Sequence, residues 1–168
     1  MRLTNDLTIV RTTVEDAVRL AEIIGCSFAD VAVRFDLTPQ NCPKHPSNCT
    51  PAWIEKDFVR GVQYFILAAD EDDLGCVGVE PATPTTCYME RLAVLPQHRG
   101  KGYGTLLAQH AIERARSLGA ERVGIGIIAA DTGLKGFYAS LGFEAGEVKN
   151  FDHLPFEVAF MRLSLCVL

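Results

Sequence analysis

The chain has 168 residues, of which 48% are hydrophobic and 22% charged, with a formal net charge of −5. That length fits one domain, able to bury about two-thirds of the surface its unfolded form exposes, and the composition is that of a folded globular protein. The acidic balance gives no electrostatic reason to wrap nucleic acid, and no run approaches the roughly 20 apolar residues that span a bilayer.

The first residues, MRLTNDLTIV, lack a basic region followed by a long apolar core and a small-residue cleavage site, so they do not read as a signal peptide and the protein is expected in the cytoplasm. Leu7 to Arg11 reads as a first strand. Thr12 or Thr13 caps a helix whose apolar residues Val14, Ala17, Val18, Ala21 and Ile24 carry it to about Cys26. Phe35 to Thr50 is rich in Pro, Asn and Cys and reads as an irregular loop. Cys42, His45 and Cys49 lie close together there, but the spacing is too loose to specify a closed tetrahedral site, and no metal is expected. With Cys26, Cys76, Cys87 and Cys166 they form no C-x-x-C pair, so free thiols are expected in a reducing compartment.

Pro51 opens a helix through about Arg60. Val62 to Ala69 and Gly75 to Val79 read as antiparallel strands around an acidic turn, Asp70 to Asp73. A longer strand runs from about Cys87 to Leu95. Tyr103 to Leu118 is the clearest helix, with Leu106, Leu107, Ala111, Ile112, Ala115 and Leu118 on one face and Gly119 as its stop. Val123 to Ile128 is a strand, Thr132 to Leu141 a helix, and Phe143 to Val148 and Phe156 to Leu163 the last two strands. The result is a mixed α and β domain over residues 1–168, with an antiparallel first half and a strand-helix-strand crossover in the second.

Between the Met89 to Leu95 strand and the strongest helix lies Gln97 to Thr105, QHRGKGYGT. Gly100, Gly102 and Gly104 alternate across the junction and permit positive φ and close ligand approach. The helix start offers free N–H donors and a partial positive charge, and Arg99 and Lys101 add two cations. These features describe a pyrophosphate site, against the plainer reading of a tight strand-to-helix turn. The nucleoside-triphosphate loop fails on the spacing before Lys101, and the G-x-G-x-x-G fingerprint fails because Thr105 stands at its third glycine.

The same residues resemble the GNAT superfamily of N-acetyltransferases, whose signature Q/R-x-x-G-x-G/A is met by Gln97, Gly100 and Gly102. A second family motif is matched by DTGLKGFYASLGF through Tyr138, Gly142 and Phe143, with Asp131 where the family often has Asn and Leu134 at a small-residue position. The resemblance covers about Tyr88 to Phe143. It implies a central mixed, mostly antiparallel sheet of about seven strands flanked by about four helices, with the fourth and fifth strands splayed apart. It implies acetyl-CoA as co-substrate, held at Leu92, Ala93, Val94, Gln97, Arg99, Gly100, Lys101, Gly102, Tyr103, Gly104, Thr105, Asp131, Lys135 and Tyr138. The Val94 N–H would polarise the thioester carbonyl, and Tyr138 would face the CoA sulfur as acid or as hydrogen-bond donor, with a plain core tyrosine as the alternative.

The acceptor is then a primary amine of a small molecule or peptide. An amine of pKa about 10.4 is neutral in only about one molecule per few thousand at pH 7, so a base is useful. Glu90 is the first candidate, because strand alternation sets Tyr88, Glu90, Leu92 and Val94 on one face; the alternative is a surface ion pair with Arg or Lys. Glu80 and His153 are weaker candidates, and Trp53, Phe58, His45 and His153 are candidates to line the acceptor pocket, with core packing or exposure as the alternative for each. The C-terminal strand is read as one that can extend the sheet across a homodimer. A non-catalytic acyl-CoA-binding or sensor module on the same fold is the alternative function.

Overall fold

The computed structural model describes residues 6–165, so Cys166 and the first five residues of the N-terminal reading lie outside the described residues. Seven strands form one sheet: β1 (Leu7–Arg11), β2 (Gln63–Ala69), β3 (Asp72–Pro81), β4 (Thr86–Val94), β5 (Arg122–Ile128), β6 (Glu144–Asn150) and β7 (Glu157–Ser164). Four α-helices accompany them: α1 (Ala17–Arg34), α2 (Pro51–Val59), α3 (Tyr103–Ser117) and α4 (Thr132–Ser140). The sheet order is β1-β2-β3-β4-β5-β7-β6, and every neighbouring pair is antiparallel except β4 and β5. This is the mixed, mostly antiparallel sheet with four helices that the resemblance implies.

The elements follow their local signals. Thr13 caps a short 3-10 turn and Thr50 caps α2, whose first residue is Pro51. α1 runs past Cys26 to Arg34 because no Gly or Pro interrupts CSFADVAVR, although its buried face ends near Ser27. The β2–β3 turn is tighter than the acidic stretch suggests: Asp70 takes a φ of +56° and Asp72 is already in β3.

Two apolar cores lie on opposite faces of the sheet. One joins α3 and α4 to Val77, Val79, Met89, Val123, Ile125, Ala159 and Met161. The other joins α1 and Ile54 of α2 to Tyr64, Ile66, Cys76 and Ala93. The C-terminal strand β7 is not an edge: it lies between β5 and β6. It cannot extend a sheet across a dimer as read from the sequence, since both its sides are paired; β6, exposed at every residue, forms that edge.

Candidate active site

β4 and β5 pair in parallel at only three positions, ending with Tyr88 and Gly124. Beyond them β4 continues to Val94 and β5 to Ile128 without pairing to each other, which opens the expected splay. On its other side β4 stays bonded to β3 through a bulge, where Arg91 and Leu92 together oppose Val77. Arg91 adopts a φ of +51° there, a conformation that costs a non-glycine residue about 1–2 kcal/mol.

That extra residue changes the faces of β4 and corrects the simple alternation. Before the bulge, Cys87 and Met89 point into the α3/α4 core; after it, Leu92 and Val94 do, while Ala93 joins the α1/α2 core. Glu90 therefore does not share a face with Leu92 and Val94: one inserted residue inverts every side chain that follows. It lies on the α1/α2 side, and the gap between β4 and β5 is where the two sides meet.

The backbone at the end of β4 is partly free. Leu95 N–H donates to Leu74 C=O at 2.9 Å, which makes Gly75–Val94 a non-hydrogen-bonded pair of the ladder. The Val94 N–H accordingly points away from β3 and toward the gap, whereas Ala93, paired with Cys76, has its backbone groups in the ladder.

Past Val94 the chain makes a 3-10 turn, Pro96–His98, and then the glycine turn. Gly100 and Gly102 have φ of +77° and +84°, and a side chain on either would meet nothing within 4 Å, so the backbone conformation demands glycine and the space above the turn is open. Gly102 is the N-cap of α3 and among the described residues no side chain caps this end, which leaves the first N–H groups of Tyr103, Gly104 and Thr105 without partners there. Gln97 and Lys101 are exposed beside it, and Lys101 makes no ion pair among the described residues. A Cβ added at Gly104 would lie 3.9 Å from the Val94 side chain and 3.7 Å from the Phe137 ring, so the end of β4, the glycine turn and α4 converge there.

Two residues of the expected cofactor set, Arg99 and Asp131, have side-chain partners within the protein. The Arg99 guanidinium is held by protein: Nε donates to Val94 C=O at 3.1 Å, Nη1 to Asp30 at 2.7 Å and Nη2 to the Ser27 carbonyl, fastening α1 to the end of β4. Asp30 is in turn held below the usual carboxylate range by its hydrogen bonds from Arg99. Asp131 is buried as the N-cap of α4, accepting from Leu134 N–H at 3.1 Å and from Arg34 at 3.4 Å. A carboxylate so placed repels a diphosphate and has a cap to hold. Lys135, half-buried on the next turn, makes no ion pair among the described residues.

Tyr138 is buried, packed edge-on against Phe137 and Phe143 at ring-centroid distances of 5.1 and 5.4 Å. Burial pushes its phenol well above the usual range. Its hydroxyl has no hydrogen-bond partner among the described residues, and its ring belongs to the core beside α3.

Glu90 is half-buried and sits in a charged cluster. Arg60, the residue that ends α2, touches Asp57 at 2.7 Å, Glu80 at 2.6 Å and Glu90 at 3.3 Å. Asp57 is buried; it accepts from the Tyr64 hydroxyl at 2.7 Å and from Arg91, whose guanidinium also touches the Tyr64 oxygen and lies over the Trp53 ring. This anchoring holds the strained bulge in place. Burial, reinforced by the Glu80 carboxylate, pushes the Glu90 carboxyl up to about 7 against the pull of Arg60. Glu90 thus makes the ion pair that the sequence reading sets as the alternative to a base role, and its carboxyl is raised as well. His153 lies outside this cluster, exposed beside Phe151 between β6 and β7.

Asp57, Arg60, Tyr64 and Arg91 escape a reading of the sequence. The one signal is Asp57 itself, an acid on the buried stripe of α2 with Ile54. His45 caps a 3-10 turn through Ser47 and is buried against Phe28, and burial lowers its proton affinity. Among the described residues no group of three His, Cys, Asp or Glu side chains is placed to hold a metal ion. No described helix is long and apolar enough to cross a membrane.

Residues 31–143 match the model of the Acetyltransferase (GNAT) family, and the chain belongs to that family. It is 33% identical over 103 residues to an uncharacterised N-acetyltransferase of Schizosaccharomyces pombe, a match that takes in 60% of this chain and 63% of the length of that relative. The fold is similar to that of the ribosomal-protein-S18-alanine N-acetyltransferase of Escherichia coli, with a TM-score of 0.77, 15% identity and coverage of 97% of this chain and 96% of the other. It is also similar to an acetyltransferase of Salmonella typhimurium solved with its cofactor acetyl-CoA, with a TM-score of 0.71, 21% identity and coverage of 96% and 95%.

Proposed function

We propose that this chain is an N-acetyltransferase that moves an acetyl group from acetyl-CoA to a primary amine of a small molecule or peptide by direct attack. The observation that carries the reading is the gap between β4 and β5, with an unpaired Val94 N–H at its side and an uncapped, glycine-led helix start beyond it. The residues fit a coenzyme A: an anion matches the bare N–H groups of α3 with Lys101 beside them, and open space lies over Gly100 and Gly102. Bound there, acetyl-CoA supplies the acyl group as an activated thioester.

The chain's own residues then have separable tasks. Val94 N–H is a fixed donor for the oxygen on which negative charge develops. Glu90, with its carboxyl near 7, accepts a proton from the incoming ammonium directly or through water and leaves the amine nucleophilic. The Tyr138 hydroxyl, without a partner among the described residues, donates a hydrogen bond to the departing sulfur. Its raised proton affinity suits stabilisation more than full proton transfer, so solvent supplies the final proton.

The test is a panel of small amines and peptide N-termini with acetyl-CoA, read by release of free thiol and by the mass of the product. Thiol release dependent on an amine, with a mass gain of one acetyl group, is expected. Tight CoA binding without turnover on any amine would instead make the chain a binding module.

A further inference from the structure

Arg60 reaches carboxylates from three elements: Asp57 on α2, Glu80 on β3 and Glu90 on β4. In the β3–β4 ladder Glu80 is opposite Tyr88 and Gly78 is opposite Glu90, so Glu80 and Glu90 are diagonal neighbours on one face. The groups around Glu90 are Asp57 and Arg60 from α2, Tyr64 from β2, Glu80 from β3 and Arg91 from its own strand, with Cys49 beyond Arg91. Three carboxyls, of Asp57, Glu80 and Glu90, meet two guanidinium groups, of Arg60 and Arg91, so the cluster is neutral when one carboxyl carries a proton and bears one negative charge when none does. The pair of carboxylates on one guanidinium is thus built to hold a single proton.

We propose that Arg60 and Glu80 are positioning residues of the acetyl transfer, acting through Glu90: Arg60 fixes where its carboxylate sits, and Glu80 governs how readily it takes and gives up a proton. This rests on the reading of Glu90 as the base. When a proton leaves the acceptor ammonium it lodges on a Glu90 oxygen, and the Glu80 carboxylate accepts a hydrogen bond from it. Glu80 is held below the usual carboxylate range by that bond and by Arg60, so it stays the acceptor of the pair. Removing Glu80 makes Glu90 a weaker base, and removing Arg60 makes it a stronger but less ordered one.

The experiment is a pH titration of the full chain with carboxyl-13C glutamate, following the Glu90 side-chain resonance, assigned by its loss in Glu90→Gln. The wild-type midpoint is expected near 7. Glu80→Gln should lower it by about one pH unit or more, and Arg60→Gln should raise it by a similar amount. A purely structural role would leave the midpoint in place or move it the same way in both variants. Glu80→Gln leaves Arg60 with Asp57 and Glu90, so it decides the matter even where Arg60→Gln does not fold. Coincident midpoints for wild type and Glu80→Gln would overturn the proposal. The acidic limb of kcat/KM on an accepted amine should move with the same sign. Full kcat in Glu90→Gln would instead overturn the base reading, an outcome the titration alone cannot mimic.

Discussion

Gly102 and Gly119 stand at the two ends of α3 with φ of +84° and +83°, and a side chain on either would meet nothing within 4 Å. Replacing each with alanine therefore carries the same local cost: about 1–2 kcal/mol for a left-handed residue, offset by about 0.4–1 kcal/mol from a less flexible unfolded chain. The net loss of about 1 kcal/mol lowers Tm by roughly 2–4 °C in a protein of this size. Only Gly102 lies where a diphosphate would rest on the bare N–H groups of α3. Gly102→Ala is expected to weaken CoA binding at least tenfold, about 1.4 kcal/mol, while Gly119→Ala leaves it unchanged. Calorimetric titration with CoA and thermal scans of the two variants measure both effects. Equal CoA affinity in the two variants would refute the turn as the binding site. A far larger stability loss in Gly102→Ala would show that the turn is strained by more than its φ.

Tyr138→Phe should lower kcat at saturating acetyl-CoA with nearly unchanged CoA affinity and Tm, because the ring packing stays and the hydroxyl has no partner among the described residues; unchanged kcat would remove the hydroxyl from the mechanism. Asp131→Ala should cost about 1 kcal/mol through loss of the α4 cap, seen as a Tm lower by roughly 2–4 °C, and Asp131→Asn should recover most of it. Glu90 also predicts a pH dependence of stability. Its carboxyl lies near 7 in the folded protein against an ordinary 4.5, so between those values the folded state binds more protons and stability falls as pH rises. Glu90→Gln should flatten that decline in thermal scans from pH 4.5 to 7; an unchanged slope would place the raised affinity elsewhere.

Local signals made much of this molecule legible. Strands β1 to β4 and all four helices start or stop at or beside Gly, Pro, Thr or Asp positions that a single segment reveals, and the two glycine-bearing motifs marked the turn and α4. What local signals left out shares a cause. Arg99 and Asp131 sit in motifs that suit a phosphate chain, while their protein partners, Asp30 and Arg34, lie 69 and 97 positions away in sequence. The face of Glu90 was misread because period-two alternation presumes an unbroken ladder, and the bulge at Arg91 has no glycine to announce it.

The sequence by itself determined where the glycine turn lies, since positive φ and an uncapped helix start are properties of a few consecutive residues. Only the tertiary structure decided which carboxylate is tuned, because proton affinity depends on what is packed around a group. Glu90 rises to about 7 through burial and through Glu80, and is restrained by Arg60 from a helix 30 residues earlier in the chain. No local pattern encodes that meeting; it exists once α2 is seated on β3 and β4.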